Sequence, residues 1–141
     1  ALTATLAKSE TYAYVGTLYI PGTVRRGPWE VAIQKTPKSA AGKVVLASFA
    51  QAQPGTLDEA VRAIDAMTIF DTTPGYNRYD FCVNRAENRT LAISLMESQA
   101  HLDAFRASPD LAEAYAKTRQ FIVPGSAEQG VWEVVIQKGP K

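Results

Sequence analysis

A segment near the start of the chain returns at its end, 103 residues later and without a gap. Pro21-Gly22, Gly27, Trp29-Glu30-Val31, Ile33-Gln34-Lys35 and Pro37-Lys38 reappear as Pro124-Gly125, Gly130, Trp132-Glu133-Val134, Ile136-Gln137-Lys138 and Pro140-Lys141. Between Thr17 and Lys38 eleven of twenty-two aligned positions are identical, and Glu10, Tyr12 and Ala13 match Glu113, Tyr115 and Ala116 at the same spacing. Convergence of two amphipathic strands is the alternative; identity of this density at constant spacing favours duplication. On that reading residues 39–141 are one whole copy, and residues 1–38 are the last third of an incomplete first copy. The rest of that copy is expected to have been cleaved, left out or lost in evolution.

Within the complete copy the hydrophobic period changes from segment to segment. Lys43 to Ala50 is rich in β-branched and apolar residues and stops at Gln53-Pro54-Gly55, which predicts a buried strand and a turn. Thr56-Leu57-Asp58-Glu59 has the form of a capping box, with Thr56 accepting from the third helical amide. Leu57, Val61, Ile64 and Met67 follow at helical spacing, which predicts a helix ending near Phe70. Tyr76 to Arg85 alternates, with Tyr79, Phe81 and Val83 opposite Asp80, Cys82 and Asn84, and Glu87-Asn88-Arg89 turns into a strand over Thr90 to Met96. Ser98 and Ser108, the latter followed by Pro109, predict helix starts on either side of a kink. Pro124-Gly125 ends that helix, and Val131 to Lys138 reads as the last strand.

The resulting β-α-β-β-α-β order is the ferredoxin-like plan, an α+β fold with a four-stranded antiparallel sheet and both helices on one side. Residues 2–19 read as the closing helix of the first copy and Trp29 to Lys35 as its last strand. The bare face of the sheet needs a partner, and a second sheet packed on it would close a two-sheet barrel, as a homo-oligomer (dimer) or as a tandem pseudo-dimer.

Composition narrows the function. At 46% apolar residues the chain can build a core. Fifteen Lys and Arg against fourteen Asp and Glu, with no basic run beyond Arg25-Arg26, argue against a nucleic-acid partner. One cysteine, Cys82, and one histidine, His101, leave neither a disulfide framework nor a His and Cys cluster, so we expect no metal site. No apolar run spans a bilayer, and Ala1-Leu2-Thr3-Ala4 does not open a signal peptide; the expected location is the cytoplasm, away from membranes. The missing initiator Met hints at trimming of a longer chain, although removal of Met before Ala1 would look the same. No phosphate loop, nucleophile elbow or dinucleotide fingerprint is present.

Pro74-Gly75 followed by Tyr79, and the run Thr90-Leu91-Ala92-Ile93-Ser94-Leu95-Met96-Glu97-Ser98 continuing to Phe105, resemble the antibiotic biosynthesis monooxygenase family of the dimeric α+β barrel superfamily. With the flanking strands the likeness covers residues 43–141. It implies a cofactor-independent monooxygenase acting on a small aromatic or phenolic, polyketide-type metabolite. The chain departs from the family where Met96 replaces a common Trp, and where Ala92 and Leu102 stand at positions that are Asn and Tyr in one oxygenase type. The Trp and haem-ligating His of the haem-degrading branch fall at Phe105 and Tyr115, which argues against that chemistry.

A cofactor-free oxygenase needs a base, a dry pocket and a substrate that ionises to an electron-rich anion. His101, the one side chain with an unperturbed pKa near neutrality, and Tyr115 are the catalytic candidates; a solvent-facing histidine and a packed tyrosine are the alternatives. Asn84, Ser94, Met96, Phe105, Trp132 and Arg119 are the candidate substrate-binding residues. For Asn84 and Ser94 the alternative is a satisfied polar group, for Trp132 a place in the sheet core, and for Arg119 neutralisation of a helix C-terminus. No cofactor is expected. Two other functions stay open: a non-catalytic ligand-binding or assembly domain, and a cyclase or isomerase on a polyketide-like substrate.

Overall fold

The computed structural model describes Leu18 and residues 28–36, 38–39 and 41–138. Five strands form one antiparallel sheet: β1 (Glu30–Lys35), β2 (Val44–Gln51), β3 (Tyr76–Asn84), β4 (Arg89–Met96) and β5 (Glu128–Glu133). Between them run α1 (Leu57–Asp65), α2 (Ile69–Thr72), α3 (Gln99–Arg106) and α4 (Pro109–Thr118), with a 3-10 turn over Arg119–Phe121. Sheet order is β1-β3-β4-β2-β5, so β2 to β5 alone make the ferredoxin-like arrangement and β1 is added to its β3 edge. The expected closing helix of the first copy, over residues 2–19, lies outside the described residues apart from Leu18.

The β3-β4 hairpin sets the register of the centre. Asn84 pairs with Arg89, the turn between them is closed by Asn84 Oδ1 accepting from the Glu87 amide at 3.0 Å, and Asn88 takes φ 54°. Asparagine is one of the few side-chain-bearing residues that adopts this left-handed conformation at low cost. Counting back from the turn places Tyr79 opposite Ser94 and Phe81 opposite Ala92. Ser94 and Ala92 therefore share a face with Tyr79 and Phe81, while Cys82 and Asn84 belong to the other face. The expectation that Asn84 binds substrate together with Ser94 is corrected by this register, which puts the two on opposite faces of the sheet.

Two of the three predicted caps form. The Ser98 hydroxyl accepts from the His101 amide at 3.3 Å and the Ser108 hydroxyl from the Leu111 amide at 3.1 Å, with Pro109 at the first helical position. Thr56 makes no such bond: its hydroxyl donates instead to the Gln53 carbonyl at 2.8 Å and ties the turn before α1. The helix also ends sooner than Phe70, at Asp65, and Phe70 belongs to the separate turn of α2. The last strand departs from its prediction too. It spans Glu128–Glu133 beside β2, and residues 134–138 continue past it without strand pairing among the described residues.

The core lies between the sheet and the helices, with Leu46, Tyr76, Tyr79, Phe81, Val83 and Met96 from strands meeting Leu57, Ile64, Phe70, Leu102, Phe105 and Leu111. The opposite sheet face is also apolar. Val45 pairs with Leu95, Ala47 with Ile93 and Phe49 with Leu91, and the Trp29 ring meets Phe49 edge-on at 6.4 Å. Trp132, paired with Val45, stands on this face 62% exposed, so it does not occupy the sheet-core position expected of it.

Candidate functional site

A cavity of about 570 Å³ lies between the sheet and the helices. Alternation along the strands supplies its floor: Leu46, Ser48 and Ala50 from β2, Tyr76, Tyr79 and Phe81 from β3, and Thr90, Ala92 and Ser94 from β4. Ile64, Phe70, Phe105 and Leu111 close it from the helices, and Tyr115, Arg119 and Gln129 stand at its rim. Tyr115 is 43% exposed and accepts a hydrogen bond from Gln129 Nε2 at 2.7 Å, which joins α4 to β5 across the mouth.

Aromatic packing fixes the floor. The Tyr79 ring stacks on Phe70 at 4.0 Å with 14° between planes, and Tyr76 meets Phe105 edge-on at 5.2 Å. Tyr76 is fully buried, and its hydroxyl donates to Ser94 Oγ. Burial raises the pKa of both phenols above the ordinary tyrosine value, because the tyrosinate would sit in a low-dielectric interior. Both are neutral donors at physiological pH. Tyr76 spends its proton on Ser94, whereas the Tyr79 hydroxyl has no hydrogen-bond partner among the described residues. Tyr79 is 5% exposed and lines the apolar cavity, where a ligand oxygen could meet its hydroxyl.

Four of the sequence candidates, Ser94, Phe105, Tyr115 and Arg119, come together around this cavity. The other four do not line it. His101 packs its ring against Gly75, which leaves no room for a Cβ there, and its Nδ1 lies 2.8 Å from Ser98 Oγ. Met96 is a fully buried core residue, Asn84 closes the hairpin, and Trp132 lies on the opposite face of the sheet. Tyr76, Tyr79, Phe70 and Gln129 were not singled out from the sequence. The four-residue hairpin loop was the available signal for Tyr79, since its length places Tyr79 across from Ser94; Gln129 is brought to Tyr115 only by tertiary folding. Acidic, lysyl and histidyl side chains are absent from the described lining.

An anthrone oxidase-like protein superposes with a TM-score of 0.64 at 17% identity over 77% of this chain, which spans about half (54%) of the length of that protein. SnoaB, a cofactor-independent oxygenase from Streptomyces nogalater, gives 0.59 at 17% identity over 72% of this chain and 100% of its own. A ferredoxin-fold protein related to antibiotic biosynthesis monooxygenases from Listeria monocytogenes 4b F2365 gives 0.60 at 15% identity, covering 89% and 88%. Its neighbours in fold are antibiotic biosynthesis monooxygenase-like proteins. At these identities the likeness is one of fold, and it agrees with the resemblance read from Pro74-Gly75 and the β4 run. No family model matches the chain, and no curated protein matches it. Among the described residues no helix is long and apolar enough to cross a membrane.

Proposed function

We propose that the cavity binds a small, flat, phenolic or quinol-type metabolite and that the protein oxygenates it without metal or flavin. The observation that carries the reading is the aromatic-walled cavity with the Tyr79 hydroxyl, unpartnered among the described residues, on its floor. A planar ligand stacks against such walls and offers an oxygen to Tyr79. Tyr79 donates to that oxygen, and Arg119 at the rim favours its ionised form by Coulomb attraction. The substrate proton passes to solvent water at the mouth. The electron-rich anion transfers one electron to dioxygen and recombines with the superoxide as a hydroperoxide; protonation and loss of one water then leave the second oxygen in the product as a carbonyl. Ser94 and Phe105 then shape the floor, and Tyr115 with Gln129 forms the mouth.

Oxygen uptake with a panel of anthrones and quinols tests this. Uptake with at least one member is expected, falling by about tenfold or more in Tyr79→Phe as one charge-assisted hydrogen bond is lost. No uptake with any member sinks the oxygenase reading. A second reading, ligand binding without turnover, is favoured by the lack of a carboxylate or imidazole base in the described lining. Saturable binding of the same compounds, seen as quenching of intrinsic fluorescence in the absence of oxygen uptake, would select it.

A further inference from the structure

Hydroxyl groups on the cavity floor differ in whether anything aims them. Ser94 stands in the sheet between Tyr79 and Leu46, both floor residues, and is itself 6% exposed. Behind it lies Tyr76. That ring is fully buried, with Phe70 at 5.6 Å and Phe105 edge-on at 5.2 Å, and among the described residues its hydroxyl meets one partner, Ser94 Oγ.

A serine hydroxyl carries one proton and two acceptor lone pairs. Ser94 Oγ takes the Tyr76 proton on a lone pair and keeps a proton of its own, which meets no acceptor among the described residues. Repulsion between the two hydroxyl hydrogens turns the Ser94 proton away from Tyr76, and Ser94 borders the cavity. The other small hydroxyls of the floor are unlike it. Thr90 Oγ1 donates to the Ala50 carbonyl at 3.4 Å and so spends its proton inside the sheet. Ser48 also lines the cavity, but no hydrogen bond among the described residues holds its rotor. A hydroxyl that is accepting a hydrogen bond is polarised into a better donor, and more so where water is excluded.

We infer that Ser94 donates to an oxygen of the bound ligand other than the one Tyr79 meets, with Tyr76 as the positioning residue that aims its hydroxyl. The two donors stand apart although Tyr79 and Ser94 are paired in the sheet, because the Tyr79 hydroxyl is at the far end of a ring and the Ser94 hydroxyl is attached directly to Cβ. A ligand held at both points carries two acceptor oxygens, and the two contacts fix the plane of its ring and the edge it turns to the mouth. This inference rests on the reading of the cavity as a site for phenolic ligands. It adds to that reading a preference for diols over simple phenols.

Titration calorimetry of the full chain under nitrogen, with α-naphthol and the naphthalenediols, measures that preference as a ratio of Kd values, in which a general loss of affinity cancels. Wild type is expected to favour at least one diol over α-naphthol by about fivefold or more, the worth of one buried neutral hydrogen bond. In Ser94→Ala the preference should fall to within about twofold, and in Ser94→Thr, which keeps the hydroxyl, it should return. Tyr76→Phe should lose part of it, because the Ser94 hydroxyl then rotates freely. Should Ser94→Ala fail to fold with the Tyr76 proton stranded, Ser94→Ala with Tyr76→Phe removes both partners and takes its place. A preference unchanged by loss of the Ser94 hydroxyl overturns the inference, and one unchanged in Tyr76→Phe overturns the role of Tyr76. Wild type that binds α-naphthol and shows no diol preference overturns the inference while the phenol-site reading stands; wild type that binds none of these compounds overturns both.

Discussion

Tyr76 and Ser94 show how one register contact shapes the cavity floor. The Tyr76 hydroxyl donates to Ser94 Oγ in a fully buried position, so removing the acceptor alone strands a donor. Ser94→Ala is expected to cost about 1–3 kcal/mol in urea unfolding, and adding Tyr76→Phe should recover part of that loss. A double variant as unstable as the sum of the singles would mean the pair is not coupled. The phenols also predict alkaline instability. Tyr76 and Tyr79 have raised pKa values in the folded state, so above the ordinary tyrosine value of about 10 the unfolded chain releases protons that the native chain retains. Cys82, raised by burial from its own lower starting value, acts in the same direction and begins sooner. Their contribution is fully present below those ordinary values and is lost as pH rises towards the folded ones. Stability should therefore fall between about pH 9 and pH 11, and a flat urea midpoint over that window would contradict the burial of these groups.

At the scale of elements, caps and turns explain where the helices start. Ser108 satisfies an otherwise orphaned amide of α4, so Ser108→Ala should lower stability by about 1 kcal/mol. Thr56→Ala should act through the Gln53 turn rather than through α1, leaving helicity by far-UV circular dichroism unchanged. Serine and threonine hydroxyls serve caps and turns equally well, and the residues around Thr56 fit both patterns. In the folded chain the hydroxyl takes the Gln53 carbonyl at 2.8 Å, with the Phe121 carbonyl 3.5 Å away. The final strand is a related case. Its alternation is continuous from Val131 to Lys138, but β2 offers partners only as far as Val44, so pairing stops at Glu133.

For the molecule as a whole, the sheet is covered unequally. Helices pack on the face of Tyr79, Phe81 and Ser94, while the face of Phe49, Leu91 and Ile93 carries both tryptophans. A Trp29→Phe chain, in which Trp132 alone emits, should show solvent-exposed emission readily quenched by acrylamide; Trp132→Phe should leave the half-buried and less quenchable Trp29. A blue shift of the Trp132 signal with rising protein concentration would report a second sheet closing over this face. Equal quenching of the two would refute the asymmetry.

What the sequence determined by itself was local and periodic. An apolar, β-branched run gave β2, alternation gave β3 and β4, the serine caps gave α3 and α4, and the order of elements gave the ferredoxin-like plan, because each depends on residues a few positions apart. Ser94 and Phe105 were legible as cavity residues on the same basis, since strand parity and helix stripe put them inward, whereas Tyr115 and Arg119 stand at the rim. Tertiary structure decided the rest. It turned Asn84 and Trp132 away from the cavity through strand register, and committed His101 to Gly75 and Ser98. It also set Glu30–Lys35 against β3 while leaving its identical counterparts near the chain end outside any strand. The two segments carry one pattern, and a strand is completed only by the edge it meets: backbone hydrogen bonds in a sheet are made between segments, so no segment specifies its partner alone.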